Sequence, residues 1–271
     1  MQTQGYPLEM QIARIAQEVG LMAHQGFHYY DSEQQVHREI DVMVTTGRAQ
    51  SRTGRSLQLR VVFEAKSSTG RSKPWVILAD KSSTMANPAR VVQRYVNDQA
   101  KDWWRRSVGR SQAVHGLSLF DVDDVRGYSL IRPTLAAGGS RDDQAFSAMM
   151  QVSKAAHGVC EWLTETGSKS KRPRDSSELF AIVLPVVVVD SPLYQCWLDG
   201  DGQIQLEEVG VGTVKWGNRV SLRRSPNTII KVMRLDAVRK YLQDLEIAAD
   251  VLYEDMMRWS RETDGELGAG A

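Results

Sequence analysis

Two carboxylates and a lysine stand out in the first third of the chain: Asp41, Glu64 and Lys66. Carboxylate oxygens are the ligands that Mg²⁺ prefers, because this small cation takes oxygen donors and keeps several of its waters. A bound divalent ion can make a water nucleophilic and can neutralise the charge that develops on a phosphodiester during hydrolysis. An ammonium group beside it can position the attacking water and stabilise negative charge. These residue types therefore suit metal-assisted hydrolysis of phosphodiester bonds.

The segments that carry these residues are typical of a β-hairpin. In LQLRVVFEAK the apolar residues alternate with a second set that ends in Glu64 and Lys66, so both charged groups lie on one face, about 6–7 Å apart. The segment REIDVMV contains Asp41 and alternates in the same way. The link between the two segments is polar and contains glycines, and a reversal near Arg52–Thr53 would bring Asp41 level with Glu64.

This arrangement resembles the PD-(D/E)XK superfamily of restriction-endonuclease-like nucleases. The matching residues are Ile40-Asp41, with isoleucine where the motif has proline, and Glu64-Ala65-Lys66. The resemblance covers about residues 6 to 80, and by the order of elements it extends to about residue 200. It implies an α/β fold with a restriction-endonuclease-like mixed β-sheet flanked by α-helices. It also implies a divalent-metal-dependent endonuclease that hydrolyses DNA phosphodiester bonds with Mg²⁺, or with Mn²⁺ in its place.

The resemblance also implies which residues would bind the metal. Asp41 and Glu64 would supply carboxylates, and Glu9 would be a third ligand, because a glutamate on the first helix often reaches the metal in this family. The backbone carbonyl of Ala65 lies at the strand edge and would be a further ligand. Glu9 could instead be a solvated first-turn acid that the helix dipole stabilises. From strand alternation we expect Glu39 to point away from Asp41 and to be structural.

Basic residues are concentrated in the hairpin loop and its exit. The formal net charge of +1 excludes a uniformly basic surface, so nucleic acid would have to contact a local patch. Because loop and exit belong to the same hairpin as the acids, we expect one surface to carry both the metal ligands and the phosphate contacts. The predicted nucleic-acid-binding residues are Arg48, Arg52, Arg55, Arg71 and Lys73.

Two classes of function remain open. DNA is the expected partner, and RNA is not excluded, because substrate choice depends on loops and phosphate contacts. A symmetric homodimer would be the simplest way to cut both strands of a duplex. The alternative is a non-cleaving nucleic-acid-binding protein that retains the nuclease fold. As a separate alternative, Asp41 could take part in an ordinary cross-strand ion pair with a neighbouring base, with Glu64 and Lys66 merely solvated.

The remaining sequence predicts one α/β domain over residues 1–263 and a disordered tail at 264–271. The apolar run LFAIVLPVVVVD predicts a central strand that helices cover on both faces, with Pro185 at a bulge or an edge. Helical spacing predicts helices at Tyr6–Met22, Pro88–Arg106, Asp142–Leu163 and Leu235–Trp259. In the resembled family a polar side chain from the helix after the ExK strand often approaches the site, and the central polar residues here are Gln151 and Lys154.

The cysteines and the apolar runs bear on the cellular compartment. Cys160 and Cys196 lack CxxC spacing and lie in apolar surroundings, which favours free thiols in a reducing compartment. The run Phe180–Val189 is too short to cross a bilayer, and the first residues lack the basic and apolar blocks of a signal peptide. We therefore expect a cytoplasmic location and no membrane partner.

Overall fold

The computed structural model describes residues 6–47, 49–50, 55–67, 73–80, 95–108, 111–120, 126–133, 144–169, 178–217 and 227–268. Over these residues the chain is a mixed α/β protein, as the sequence predicts. Eleven strands form one mixed sheet, and helices lie on both of its faces. A long helix closes the chain, which was also expected.

The strands, in chain order, are β1 (Met22–Asp31), β2 (Val36–Thr45), β3 (Ala49–Gln50), β4 (Arg55–Lys66), β5 (Trp75–Asp80), β6 (Arg126–Ile131), β7 (Glu178–Val189), β8 (Leu193–Leu198), β9 (Ile204–Glu208), β10 (Val211–Gly217) and β11 (Asn227–Arg234). Their order across the sheet is β1-β2-β4-β7-β11-β10-β6-β5-β8-β9, and β3 pairs with β4 outside this path. The strands β4, β7 and β11 are parallel, whereas β1, β2 and β4 are successive antiparallel neighbours.

Three long helices cover the sheet: α1 (Tyr6–Glu18), α2 (Gln144–Lys169) and α3 (Val238–Gly268). Shorter helical segments are Asp98–Ala100, Lys101–Trp103, the π-helix Trp104–Val108, Gln112–His115, Ser118–Phe120 and Leu235–Ala237. Within the described residues, no helix combines the length and the apolar character that crossing a membrane requires.

The strand β4 is buried on both of its faces. Val61 packs in the core formed with α1 and α3, and its neighbour Val62 packs in the second core, formed with α2. Full burial of one aliphatic side chain contributes about 1.5–3 kcal/mol, so the many such residues on both faces fix β4 firmly in the middle of the molecule. A buried hydrogen bond from Trp103 Nε1 to Asp255 Oδ2, 3.0 Å long, ties α3 to the segment beside it.

The strand β7 runs parallel to β4 along its whole length, from Arg55 opposite Glu178 to Lys66 opposite Val189. Pro185 lies opposite Val62 within this continuous ladder, so the strand has no bulge there, but the proline lies at an edge on its other side, as the sequence predicts. The ring is tolerated there because β11 pairs with β7 only from Val186 onward.

Beside the first half of β7, the Asn97 side chain takes the place of a neighbouring strand. Its amide nitrogen donates to the carbonyl of Leu179 (2.7 Å), and its oxygen accepts from the amide of Ala181 (2.9 Å). The backbone amide of Asn97 also donates to the carbonyl of Ala181 at 3.1 Å. Backbone groups on this side of β7 are thereby satisfied although β11 does not reach them.

Several predicted helix boundaries differ from the structure. The first helix ends at Glu18 rather than Met22, because Gly20 takes a left-handed conformation (φ 85°) and Leu21 donates back to the Ala16 carbonyl. The helix α2 begins at Gln144 and runs six residues past the predicted end, to Lys169. Residues 88–94 of the predicted second helix lie outside the described residues. The helix α3 continues to Gly268, which is past the predicted start of the tail at residue 264.

The hairpin of β1 and β2 packs on α2 through a close contact at Gly158. A Cβ atom at this glycine would lie 2.2 Å from Cδ2 of the buried Tyr29 ring. We predict that Gly158→Ala destabilises the protein by about 1–3 kcal/mol, because the ring and its strand must move to relieve the overlap. Denaturant unfolding measures this change.

Gly200 is the matched control, because a Cβ there meets no heavy atom within 4 Å. Gly200→Ala should leave the free energy of unfolding within about 0.5 kcal/mol of the parent value. In an ordinary helix position, alanine is favoured over glycine by about 1 kcal/mol. A Gly158→Ala protein that unfolds at higher denaturant concentration than the parent would therefore contradict the proposed packing.

Candidate active site

The pairing of β2 with β4 brings the predicted acids together at the end of the sheet. The register runs from Thr45 opposite Arg60 to Val42 opposite Phe63, and one further step places Asp41 opposite Glu64, as the sequence predicts. Beyond the Val42–Phe63 pair, the next contact between β2 and β4 is made by a side chain. Oδ2 of Asp41 accepts a 2.7 Å hydrogen bond from the amide of Ala65. The carboxylate is thus fixed to the strand that carries Glu64.

A cavity of about 480 Å³ opens where the pairing of β2 with β4 ends. Residues of α1, β1, β2, β4 and α2 line it. They include every residue that the sequence predicted for catalysis and metal binding. The lining residues are Glu9, Tyr29, His37, Arg38, Glu39, Asp41, Glu64, Ala65, Lys66 and Gln151.

Glu39 lines this cavity together with Asp41. The expectation that Glu39 points away from Asp41 is therefore wrong. Residues two apart along a strand share a face, so alternation itself places the two carboxylates on the same side. Gly26 of β1 provides room for Glu39, since a Cβ there would lie 3.1 Å from Glu39 Oε1. The cavity consequently has four carboxylates rather than three.

The hairpin twists sharply beside Asp41. Val42 packs in the core with α1 and α3, whereas Ile40 packs in the core with α2, although residues two apart normally share a face. The pairs of β1 with β2 skip from Gln25–Val42 to Phe27–Ile40, and Gly26 between them has a left-handed backbone (φ 62°) that favours glycine. Beyond this twist, Tyr29 and Arg38 of the opposite face also reach the cavity. Sequence alternation missed these two residues because it assumes a straight strand.

Burial and mutual repulsion raise the pKa values of the acids. Burial raises the pKa of Glu64 to about 7, the charge of Asp41 adds to the effect, and Lys66 opposes it. The pKa of Glu9 is raised to about 7 by burial and then by Asp41 and Glu39. Burial also raises the pKa of Asp41, against the hydrogen bond from Ala65 and the charge of Lys66. The cavity therefore gathers more negative charge than its own cations neutralise.

Lys66 is held between two partners in the cavity. Its Nζ lies 2.5 Å from Glu64 Oε1 and donates to Gln151 Oε1 at 3.1 Å. A polar side chain of α2 therefore lies at the site, as the family resemblance suggested for Gln151. Lys154 instead contacts Asp31 Oδ2 at 3.1 Å, outside the residues that line the cavity.

The predicted basic patch is only partly described. Arg48, Arg52 and Arg71 lie outside the described residues. Lys73 is exposed just before β5. Arg55 begins β4, nine positions before Glu64, which at about 3.3 Å per residue puts it about 30 Å away.

Arg55 also has structural partners, since its Nε lies 3.0 Å from Glu178 Oε2 and its guanidinium lies over the Trp259 ring. The expected single surface that joins phosphate contacts to metal ligands is therefore wrong for Arg55. The loop of a hairpin and the outer end of its second strand lie at opposite ends of the sheet, which explains the error.

The chemistry of the donors fits a hard divalent cation. Carboxylate oxygens and a backbone carbonyl are the ligands that Mg²⁺ takes. A bound cation would offset the burial and the mutual repulsion that raise the pKa values of Glu9 and Glu64. Among the residues that the structure describes, however, no three His, Cys, Asp or Glu side chains are already arranged to hold a metal ion. Metal binding would accordingly require some of the carboxylates to turn.

Comparison of the chain with protein-family models, curated proteins and solved structures finds no match.

The raised pKa of Glu64 predicts a pH-dependent gain in stability on its removal. A carboxyl whose folded pKa is about 7 favours the folded state in its protonated form, so stability is lost as the pH rises from about 4.5 through 7. Without metal, we predict that Glu64→Gln raises the free energy of unfolding by about 1–3 kcal/mol at pH 8 and hardly changes it at pH 4.5. Urea unfolding in EDTA at both pH values measures this difference.

Glu254→Gln is the matched control, because Glu254 is exposed on α3 and is not among the residues that line the cavity. It should change the free energy of unfolding by less than about 0.5 kcal/mol at either pH. Loss of stability at pH 8 in Glu64→Gln would show instead that the ion pair with Lys66 outweighs the burial of the charge.

Proposed function

We propose that the chain is a divalent-metal-dependent endonuclease that hydrolyses DNA phosphodiester bonds, with a restriction-endonuclease-like fold of the PD-(D/E)XK type. One observation carries the proposal: Asp41, Glu64 and Lys66 converge on one cavity at the place where the pairing of β2 with β4 ends. The order of elements supports it, because an acidic helix precedes the hairpin and a helix with a polar residue at the site follows it.

Mg²⁺, or Mn²⁺ in its place, would be held by Asp41 and Glu64, with Glu9 and the Ala65 carbonyl as further ligands. Such an ion supplies Lewis acidity toward the phosphate and lowers the pKa of a bound water. Glu39 extends the set of carboxylates that can take part, or it orients the others. The amide of Ala65 fixes the direction of the Asp41 carboxylate and limits its freedom to turn.

Lys66 is the group that would meet the substrate phosphate. Its ammonium lies among carboxylates at the cavity wall, where it can stabilise negative charge on the scissile phosphate and orient the attacking water. Gln151 Oε1 accepts from Lys66 and so directs the ammonium from the α2 side. Tyr29 is buried beneath the same cavity and excludes water from that side.

A second candidate is a non-cleaving nucleic-acid-binding protein that retains the nuclease fold. It is favoured by the close ion pair of Lys66 with Glu64, which occupies one of the carboxylates that a metal would need. It is also favoured by the absence, among the described residues, of a preassembled group of metal ligands. The two candidates differ in whether a divalent cation brings about hydrolysis.

The nuclease proposal predicts metal-dependent cleavage that each of three substitutions removes. Purified protein is incubated with supercoiled, linear duplex and single-stranded DNA in Mg²⁺, in Mn²⁺ and in EDTA, and the products are resolved on gels. Asp41→Asn, Glu64→Gln and Lys66→Met should each lower the rate at least about 100-fold, because each removes a charge that acts on the transition state.

Glu33→Gln is the control for this experiment, since Glu33 is an exposed acid of the β1–β2 turn and does not line the cavity. It should cleave at the parent rate. Cleavage that survives EDTA, or that survives Glu64→Gln, would contradict the proposal. DNA binding without cleavage under any of these conditions would favour the second candidate.

The structure also predicts that Glu9 and Glu39 affect metal affinity. Glu9→Gln and Glu39→Gln should each raise the Mg²⁺ concentration needed for half-maximal thermal stabilisation by about 10-fold, because groups that ligate or orient ligands have effects of 10-fold to 100-fold. Thermal melts over a Mg²⁺ titration at constant ionic strength measure this. An unchanged midpoint for Glu39→Gln would show that Glu39 is only a neighbour of the metal site.

A further inference from the structure

The outer half of the β1–β2 hairpin presents an aromatic surface beside the cavity. Tyr30 lies opposite His37, and His28 lies opposite Glu39, so these four side chains project from one face. We call them the outer hairpin face. The Tyr30 and His37 rings are 5.3 Å apart between centroids, and half of the Tyr30 surface is exposed.

Within the described sheet, no other strand covers this part of the hairpin. The strand β1 forms one edge of the sheet, and β2 is paired with β4 only as far as Val42. The opposite face of the hairpin is buried on α2 through Tyr29 and Asp31, and the latter contacts Lys154 and Arg38. The outer hairpin face is therefore held rigidly while its own side chains face solvent.

The outer hairpin face is continuous with the cavity. His37 and Glu39 belong to both, and His37 is four residues from Asp41, a distance of about 13 Å along a strand. An extended chain bound on the Tyr30 and His37 rings could thus pass directly to the carboxylates. An imidazole offers an N–H donor to a phosphate oxygen in any protonation state.

We propose that the outer hairpin face binds an unpaired segment of a DNA strand and guides it into the cavity, with one base stacked on Tyr30 and His37. Stacking on exposed aromatic rings is how proteins hold single strands without reading their sequence. A duplex hides the faces of its bases inside its own stack, so these rings select an unpaired strand. The inference rests on the proposed nuclease function and narrows its substrate to DNA with single-stranded character.

The test measures binding separately from cleavage. A fluorescently labelled single-stranded DNA, and a blunt duplex of the same sequence, are titrated with Glu64→Gln protein in EDTA, and anisotropy reports the dissociation constant. Added to this background, Tyr30→Ala should weaken single-strand binding about 10-fold, since one stacked base contributes about 1–3 kcal/mol. Tyr30→Trp, which keeps an aromatic ring, should bind at least as tightly as the background protein.

Tyr128→Ala is the matched control, because Tyr128 is an exposed tyrosine on β6, with 60% of its surface accessible, and it does not line the cavity. It should change the dissociation constant by less than about twofold. Thermal melts of every variant identify loss of folding. If Tyr30→Ala does not fold, the comparison of Tyr30→Trp with Tyr30→Ser decides the matter.

The outcomes separate this inference from the proposed function. Equal affinity for duplex and single strand, no binding of either DNA, or binding that ignores Tyr30 would overturn the inference, even if the parent protein cleaves DNA with Mg²⁺. Binding that depends on Tyr30 and prefers the single strand would support it. The same binding result without any metal-dependent cleavage would contradict the proposed nuclease function but would still support single-strand binding by the outer hairpin face.

Discussion

The burial of Glu64 is the constraint on which the rest of the site depends. Its strand, β4, lies in the middle of the sheet and is covered on both faces, so a carboxylate near its end loses most of its contact with water. An isolated buried charge is strongly unfavourable. Two features reduce this cost: Lys66 Nζ lies 2.5 Å from Glu64 Oε1, and the cavity opens to solvent. The remaining imbalance is visible in the pKa of about 7.

Two acids outside the cavity, Asp190 and Asp31, have hydrogen-bonding partners. Ser67 donates to Asp190 at 2.7 Å and joins the ends of β4 and β7. Burial alone would raise the pKa of Asp31, but hydrogen bonds from Lys154, the Gln34 amide and Arg38 lower it. Asp31 on β1 and Asp41 on β2 thus have opposite pKa shifts, and the acids of the cavity keep raised pKa values in spite of Lys66. Proteins commonly accept such local instability where function requires it.

Periodicity in the sequence predicted the central features of this arrangement, because strand alternation and hairpin register are local properties. It located β4 and β7 as buried strands, and it placed Asp41 opposite Glu64. It missed Tyr29 and Arg38, which reach the cavity only because the hairpin twists beside Gly26, and no pattern of residue types encodes the size of a twist. The error at Glu39 was of another kind, since alternation applied correctly would have placed it with Asp41.

The contacts of Lys66 bear on how one cavity can exist in two states. Lys66 contacts both Glu64 and Gln151, so the ammonium would keep a neutral partner on α2 if Glu64 turned toward a metal. A lysine with the carboxylate as its sole partner would be left with an unsatisfied charge by the same movement. Gln151 thereby lowers the free-energy difference between an ion-paired cavity and one in which Glu64 is free to coordinate. The ion pair of Lys66 with Glu64 is consequently compatible with the proposed metal-dependent site as well as with a non-cleaving protein.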